Sequence, residues 1–186
     1  MPAAIQQSQM ESDRLSAIKT IDSEIRAIEE LKKSLDAESL TKALDFMQNS
    51  TGRIIITGMG KSGHIGKKIA ASLASTGTPS FFVHPAEASH GDLGMITDDD
   101  VVIAISNSGE SRELIDILNY CKRFGIKLIA ITKNQDSSLG KAGDVVLLLP
   151  NNGEACPLGL APTSSTTATL VLGDILTIRM IERKGF

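Results

Sequence analysis

Short, almost uninterrupted apolar runs recur along this chain: RIIITG (Arg53 to Gly58), PSFFVH (Pro79 to His84), VVIAIS (Val101 to Ser106), KLIAIT (Lys127 to Thr132) and VVLLLP (Val145 to Pro150). Their Ile and Val content and their lack of alternation predict strands covered on both faces, as in a parallel sheet. Between and around them the apolar spacing switches to a helical period. Ser62 to Ser75 and Ser111 to Phe124 read as helices, and Ser137 to Lys141 as a short turn. A closing helix runs from about Ser164 to Lys184, with Gly185 beside its end. Ahead of the first strand, Leu15, Ile18, Ile21, Ile25, Ile28, Leu31 and Leu35 are spaced 3, 3, 4, 3, 3 and 4, an amphipathic stripe of heptad type. A second helix, Ala37 to Asn49, carries Leu40, Ala43, Leu44 and Met47 on one face, and residues 1 to about 11 read as a tail. The narrow stripe predicts a first helix that partly covers the sheet and partly meets another subunit. Alternating strands and helices imply right-handed crossovers and a three-layer α/β/α, doubly wound sheet of about five parallel strands. The N-terminal helices would occupy residues 1–50 and the α/β domain residues 51–186. Ligands on such a sheet bind beyond the carboxyl ends of the strands, near a switch point.

Composition removes several function classes. Of 186 residues, 41% are apolar and 22% charged, a balance that suits a globular domain with a buried core. The net charge is −3 and no Lys/Arg-rich stripe appears, which argues against a nucleic-acid or membrane-surface partner. Aromatics at 3%, with no Trp, leave little from which to build a stacking platform. Cys121 and Cys156 form neither a CxxC pair nor a Cys/His cluster, so no disulfide framework or structural zinc is expected. The polar amino terminus lacks a signal-peptide apolar region, and no apolar run approaches the ~18 residues of a membrane span. The chain reads as cytoplasmic.

Three loops that follow strands carry the candidate chemistry. GMGKSG (Gly58 to Gly63) matches GxGxxG, but the dinucleotide version needs an acid about 20 residues later, and FFVHP around His84 offers none. A Walker-type loop needs glycine at position 55, where Ile55 stands. What remains is a glycine turn feeding a helix N-terminus, a place suited to an anion. Lys61 lies in that first turn, where a cation opposes the helix dipole by ~0.3–1 kcal/mol, a placement that favours function over a solvated lysine. SNSGES (Ser106 to Ser111) brings Ser106, Asn107, Ser108 and Ser111 to the start of another helix. Three hydroxyls there form a phosphate cradle that needs no positive side chain, whereas capping needs only one. APTSSTTA (Ala161 to Ala168) sets five consecutive hydroxyl residues before the last helix, a polar wall for sugar hydroxyls. His84 and His90, with Glu87 and Asp92, share the loop HPAEASHGDLG. Glu113 follows the serine loop, where dipole complementation and catalysis fit equally, and Glu154 lies in GEACPLG. Without a nucleotide or metal motif, these groups imply a phosphorylated polyol, proton-transfer chemistry and no cofactor.

GMGKSGHIGKKIAASLASTGTPSFFVHPAEASHGDLGMI, VVIAISNSGESRE and EACPLGLAPTSSTTATLVLGD together resemble the sugar-isomerase (SIS) domain of bacterial arabinose-5-phosphate isomerases, from about Arg53 to the chain end. The serine loop alone points only to SIS domains in general; VHPAEASHGDLG and EACPLGLAPTSSTTAT are particular to the isomerase branch. The resemblance implies a flavodoxin-like SIS fold, a homotetramer, and interconversion of ribulose 5-phosphate and arabinose 5-phosphate through an enediol(ate). The product would feed synthesis of 3-deoxy-manno-octulosonate, a lipopolysaccharide sugar. It implies catalytic roles for Lys61, Glu113 and Glu154, substrate contacts at Gly77, Thr78, His84 and His90, and a phosphate loop of Ser106, Ser108 and Ser111. His84 also matches a zinc position linked to inhibition. Ser62, Asn107, Thr163, Ser164 and Ser165 complete the expected substrate-binding set. The proton-transfer base stays open among Glu113, Glu154 and a histidine. Typical members continue into a histidine-containing segment and a pair of CBS modules, whereas this chain stops at Gly185-Phe186. Two rival readings stand beside this one: a non-catalytic SIS module that senses a sugar phosphate, and an isomerase of another phosphosugar.

Overall fold

The computed structural model describes residues 3–186, with side chains from residue 6 onward. The chain runs α1 (Ala3–Ser34), α2 (Ala37–Asn49), β1 (Ile54–Gly58), α3 (Gly60–Ser75), β2 (Ser80–Val83), α4 (Pro85–Ser89), β3 (Val101–Ile105), α5 (Ile115–Phe124), β4 (Lys127–Thr132), α6 (Ser138–Ala142), β5 (Val145–Leu148) and α7 (Ser164–Lys184), with 3-10 turns at Asp92–Met95 and Arg112–Leu114. All five strands are parallel, in the order β2-β1-β3-β4-β5. Every residue of β1 and β3 is buried, the physical origin of their unbroken apolar runs.

Alternate strand residues feed two separate cores. On one face Ile54, Ile56, Ile103 and Ile129 meet Leu31, Leu44, Met47, Leu73, Leu172 and Leu176 from α1, α2, α3 and α7. On the other, Ile55, Val102, Ala104 and Ala130 meet Ala88, Ile117, Leu118 and Leu139 from α4, α5 and α6. No helix among the described residues is long and apolar enough to cross a membrane.

The first helix differs from its sequence expectation. It already begins at Ala3, through a run of Gln, Met and Glu that favours helix, so the expected tail is helical as far as it is described. Met1 and Pro2 lie outside the described residues. Ser23, Ala27 and Leu31, four residues apart, are the buried positions of α1, and small side chains at the first two let it approach α7 closely. Of the heptad stripe only Leu31 is buried and Leu35 half-buried; Leu15, Ile18, Ile21, Ile25 and Ile28 remain 54%, 39%, 57%, 47% and 37% exposed. The stripe and the inward face are therefore largely different faces of one helix.

One buried charge pins the lower rim of the sheet. Asp100, its side chain fully buried, precedes β3. Its Oδ1 accepts from the Arg53 amide at 2.7 Å and Nε at 3.2 Å. Its Oδ2 accepts from Arg53 Nη2 at 3.1 Å and from the Thr97 amide at 2.8 Å and hydroxyl at 3.1 Å. Burial pushes this carboxyl up, but the hydrogen bonds outweigh it and hold the group below the usual carboxylate range. Asp100→Asn is expected to cost about 2–3 kcal/mol in urea unfolding, because Arg53 keeps its charge without its partner. Since the folded pKa is depressed, the stabilisation is complete above the ordinary Asp value of about 3.9 and disappears as pH falls through the lower folded value. A D100N chain should lose this part of the acid-side pH dependence of unfolding.

Candidate active site

Pairing of β1 with β3 sets Gly58 opposite Ile105, so the loops that leave these strands start side by side. This is also where the strand order reverses, with β2 on one side of β1 and β3 to β5 on the other. After Gly58 the chain turns through Met59 and Gly60 into α3. A Cβ on Gly63 would fall 2.5 Å from the Gly58 carbonyl oxygen, so the helix lies against the strand only because that position is bare. The GxGxxG spacing thus serves helix–strand packing. Lys61 is exposed in the first turn of α3, and Ser62 is half-buried behind it.

The serine loop is folded on its own hydroxyls. Ser106 Oγ lies 2.8 Å from Ser111 Oγ and accepts the Gly109 amide at 3.1 Å, while Ser108 Oγ accepts the Glu110 amide at 3.2 Å. Gly109 has φ +75°, and a Cβ there would lie 1.9 Å from Ser137 Oγ. The Glu110 carboxylate receives the Ser138 amide at 2.9 Å and hydroxyl at 2.7 Å, holding α6 beside the loop. Among the described residues the amides of Asn107, Ser108 and Ser111 donate to no protein group. They are free for an anion. The expected helix start at Ser111 is instead a 3-10 turn, with Glu113 exposed on it.

The hydroxyl wall is a different object from the one expected. Glu154 Oε2 accepts from the Thr163 amide at 2.8 Å, the Thr163 hydroxyl at 3.1 Å and the Ser165 amide at 3.1 Å, closing the N-terminus of α7 from outside the helix. Ser164, fully buried, lies 3.2 Å from Ser23 Oγ. Thr166 returns to the Thr163 carbonyl at 2.8 Å, and Thr167 donates to Glu24 Oε2 at 3.0 Å. Four of the five hydroxyls thus fasten α7 to Glu154, to its own first turn and to α1. Of the hydroxyls expected to contact substrate, that of Ser164 is buried against α1 and that of Thr163 donates to Glu154. Burial pushes the Glu154 carboxyl up, and its bonds from Ser165 and Thr163 more than offset this, leaving it below the usual range and ionised at neutral pH.

These elements enclose a cavity of about 270 Å³, lined by Asn107, Lys133, Asn151, Asn152, Glu154 and Ser165 among others. The Asn107 Oδ1 is buried without a hydrogen-bond partner. A larger cavity, about 480 Å³, runs along the outer edge of β5 beneath α2 and includes no residue of the loops after β1 and β3. Lys133, Asn151 and Asn152 were not singled out by sequence. Each follows a strand closely, the rule that found Ser106, but none sits in a recognisable pattern.

His84 caps α4, its Nδ1 accepting the Ala86 amide at 3.3 Å, which leaves the proton on Nε2. His90, at the C-terminus of α4, is exposed. Among the described residues no three His, Cys, Asp or Glu side chains converge, so His84 has no companions for a zinc site within one chain. Gly77 and the buried Thr78 precede β2, at the sheet end opposite the cavity, with the Phe186 ring against Gly77. The 16-residue α3 separates them from Lys61, a rise of roughly 24 Å. One chain does not bring these two expected contacts to the cavity.

The SIS-domain family model matches residues 47–179. Arabinose 5-phosphate isomerase KdsD of Pseudomonas aeruginosa is 57% identical over 171 residues, covering 92% of this chain and 52% of that protein. KdsD of Francisella tularensis is 56% identical and covers 92% and 53%. The chain thus spans about half the length of these curated relatives. Among solved structures, Escherichia coli CFT073 c3406 in its complex with arabinose 5-phosphate superposes with a TM-score of 0.89 at 43% identity, covering 94% of this chain and 93% of that one.

The buried tie between α1 and α7 yields a test. Ser164→Ala is expected to cost about 1–2 kcal/mol, by leaving the Ser23 hydroxyl buried and unpaired, yet to leave ligand affinity unchanged in calorimetric titration. Loss of affinity at constant stability would return Ser164 to the binding set.

Proposed function

The chain belongs to the SIS-domain family, and on that premise we propose that it is an aldose–ketose isomerase interconverting ribulose 5-phosphate and arabinose 5-phosphate. One observation carries the reading: an ionised, fixed carboxylate, Glu154, faces the cavity that also holds Asn107 of a loop with free amides. The names of the KdsD relatives support the choice of substrate. A phosphorylated sugar fits a cytoplasmic reaction on the route to 3-deoxy-manno-octulosonate.

In this mechanism the serine loop takes the phosphate through the Asn107, Ser108 and Ser111 amides and the Ser106, Ser108 and Ser111 hydroxyls. That grip lies far from the reacting carbons and converts remote binding into positioning of C1 and C2. Glu154 accepts the proton from one carbon and returns it to its neighbour; its Oε2 is held by α7, and its Oε1 is the free oxygen. Lys61, on the adjoining loop across the switch point, meets the charge developing on the carbonyl oxygen. His84, with its proton on Nε2, or His90 serves ring opening of the furanose. Glu113 keeps an electrostatic role beside the phosphate loop.

Incubation with ribulose 5-phosphate, followed by NMR, is expected to yield arabinose 5-phosphate. Glu154→Gln should lower kcat by roughly 100-fold or more while arabinose 5-phosphate still binds. Near wild-type turnover in E154Q would remove Glu154 as the base. Binding without turnover in the wild-type chain would favour a sensing module, and faster turnover of a six-carbon ketose phosphate would change the substrate.

We also propose that the chain assembles with copies of itself, up to a tetramer. The exposed stripe Leu15, Ile18, Ile21, Ile25 and Ile28 on α1 supports this. So does an apolar groove of about 330 Å³ on α7, lined by Val171, Ile175 and Ile178. Light scattering is expected to give a multiple of the chain mass, reduced by the double substitution Ile21→Glu, Ile25→Glu. An unchanged mass in that variant would exclude the α1 stripe as an interface.

A further inference from the structure

The serine loop carries no cation of its own, yet the fold delivers one to its side. Lys133 is the first residue after β4, and its amide donates to the Asn107 carbonyl at 3.1 Å. The Thr132 hydroxyl adds a second bond to that carbonyl at 3.3 Å. The backbone that carries Lys133 is thereby fixed to the loop that carries Asn107. Lys133 lines the 270 Å³ cavity, as the only Lys or Arg there. The one carboxylate in the lining, Glu154, has an oxygen committed to α7 and forms no ion pair with Lys133. Among the described residues Lys133 takes part in no salt bridge. Lys133 thus stands as an unpaired cation at a cavity that also includes Asn107, the residue through which the loop of free amides is tied to β4.

From this the geometry points to Lys133 as the charge-selecting residue of the cavity, pairing with the phosphate dianion of a sugar phosphate held by the serine loop. The inference rests on the phosphate-cradle reading above and adds a discriminating element to it. Neutral donors alone hold any polar oxygen group, whereas an ammonium on a flexible stem distinguishes a doubly charged phosphoester from an uncharged hydroxymethyl group. Lys61 does not line this cavity, so the role at the phosphate falls to Lys133.

The test is calorimetric titration of arabinose 5-phosphate and of inorganic phosphate into the wild-type chain, Lys133→Met and Lys133→Arg, with Tm measured for each. Lys133→Met is expected to weaken both ligands by about tenfold or more, and Lys133→Arg by clearly less, at unchanged Tm. The salt dependence of binding should also flatten in K133M. Equal affinity in K133M and wild type would overturn the inference and leave the cradle reading standing. If the wild-type chain binds inorganic phosphate but not the sugar phosphate, the substrate reading fails, and inorganic phosphate alone decides on Lys133. Binding of neither ligand by the wild-type chain would overturn both.

Discussion

The side-by-side exit of β1 and β3 is the constraint on which the rest of the molecule hangs. Parallel pairing in that register leaves two strand ends at the same height with helices departing on opposite faces. A crevice must open between them, because no crossover covers the point where strand order reverses. Each bordering loop then needs a bare position to fit: Gly63 where α3 touches its own strand, and Gly109 where the serine loop passes Ser137. Neither glycine is chemically active. Both allow backbone to come close enough for amides and carboxylates to meet in one volume.

The cavity is completed from a distant part of the chain, by the loop before α7. Glu154 does two jobs with its two oxygens. Oε2 satisfies the amides of a helix that starts without a side-chain cap of its own, and the carboxylate so held stays charged in a partly buried place. Structural satisfaction and chemical readiness are here the same hydrogen bonds. The N-terminus of α7 is held in turn from behind by Ser23 and Glu24 of α1, so a helix on the outer surface has a stake in where the carboxylate stands.

Much of this was legible in sequence, for a physical reason. Runs such as VVIAI and LIAI hold no polar residue, so strand, burial and parallel class follow together. The hydroxyl cluster divides in the fold, because composition does not say which way a side chain points. Ser164 looked available and is buried, while Ser165, one residue on, lines the cavity. Lys133 stayed hidden for the opposite reason: a single lysine after a strand resembles any solvated lysine until Asn107 is seen to hold its backbone. On α1 the heptad spacing was real, but it described a surface facing away from the sheet, and the inward face was carried by Ser23 and Ala27, too small to stand out as a hydrophobic pattern.

The segment shared with the SIS family begins at residue 47 in this chain, yet the physical unit starts earlier. Ala27, Leu31, Ala43 and Leu44 belong to the same core as the sheet, and the hydroxyl of Ser164 has its partner at Ser23. A gene trimmed to the family boundary would therefore encode all the loops of the cleft on a layer stripped of its cover, with apolar side chains of α7 newly wetted and the Ser164 hydroxyl without its partner. The smallest piece that can be moved between proteins, by recombination or by an engineer, includes α1 at least as far back as Ser23.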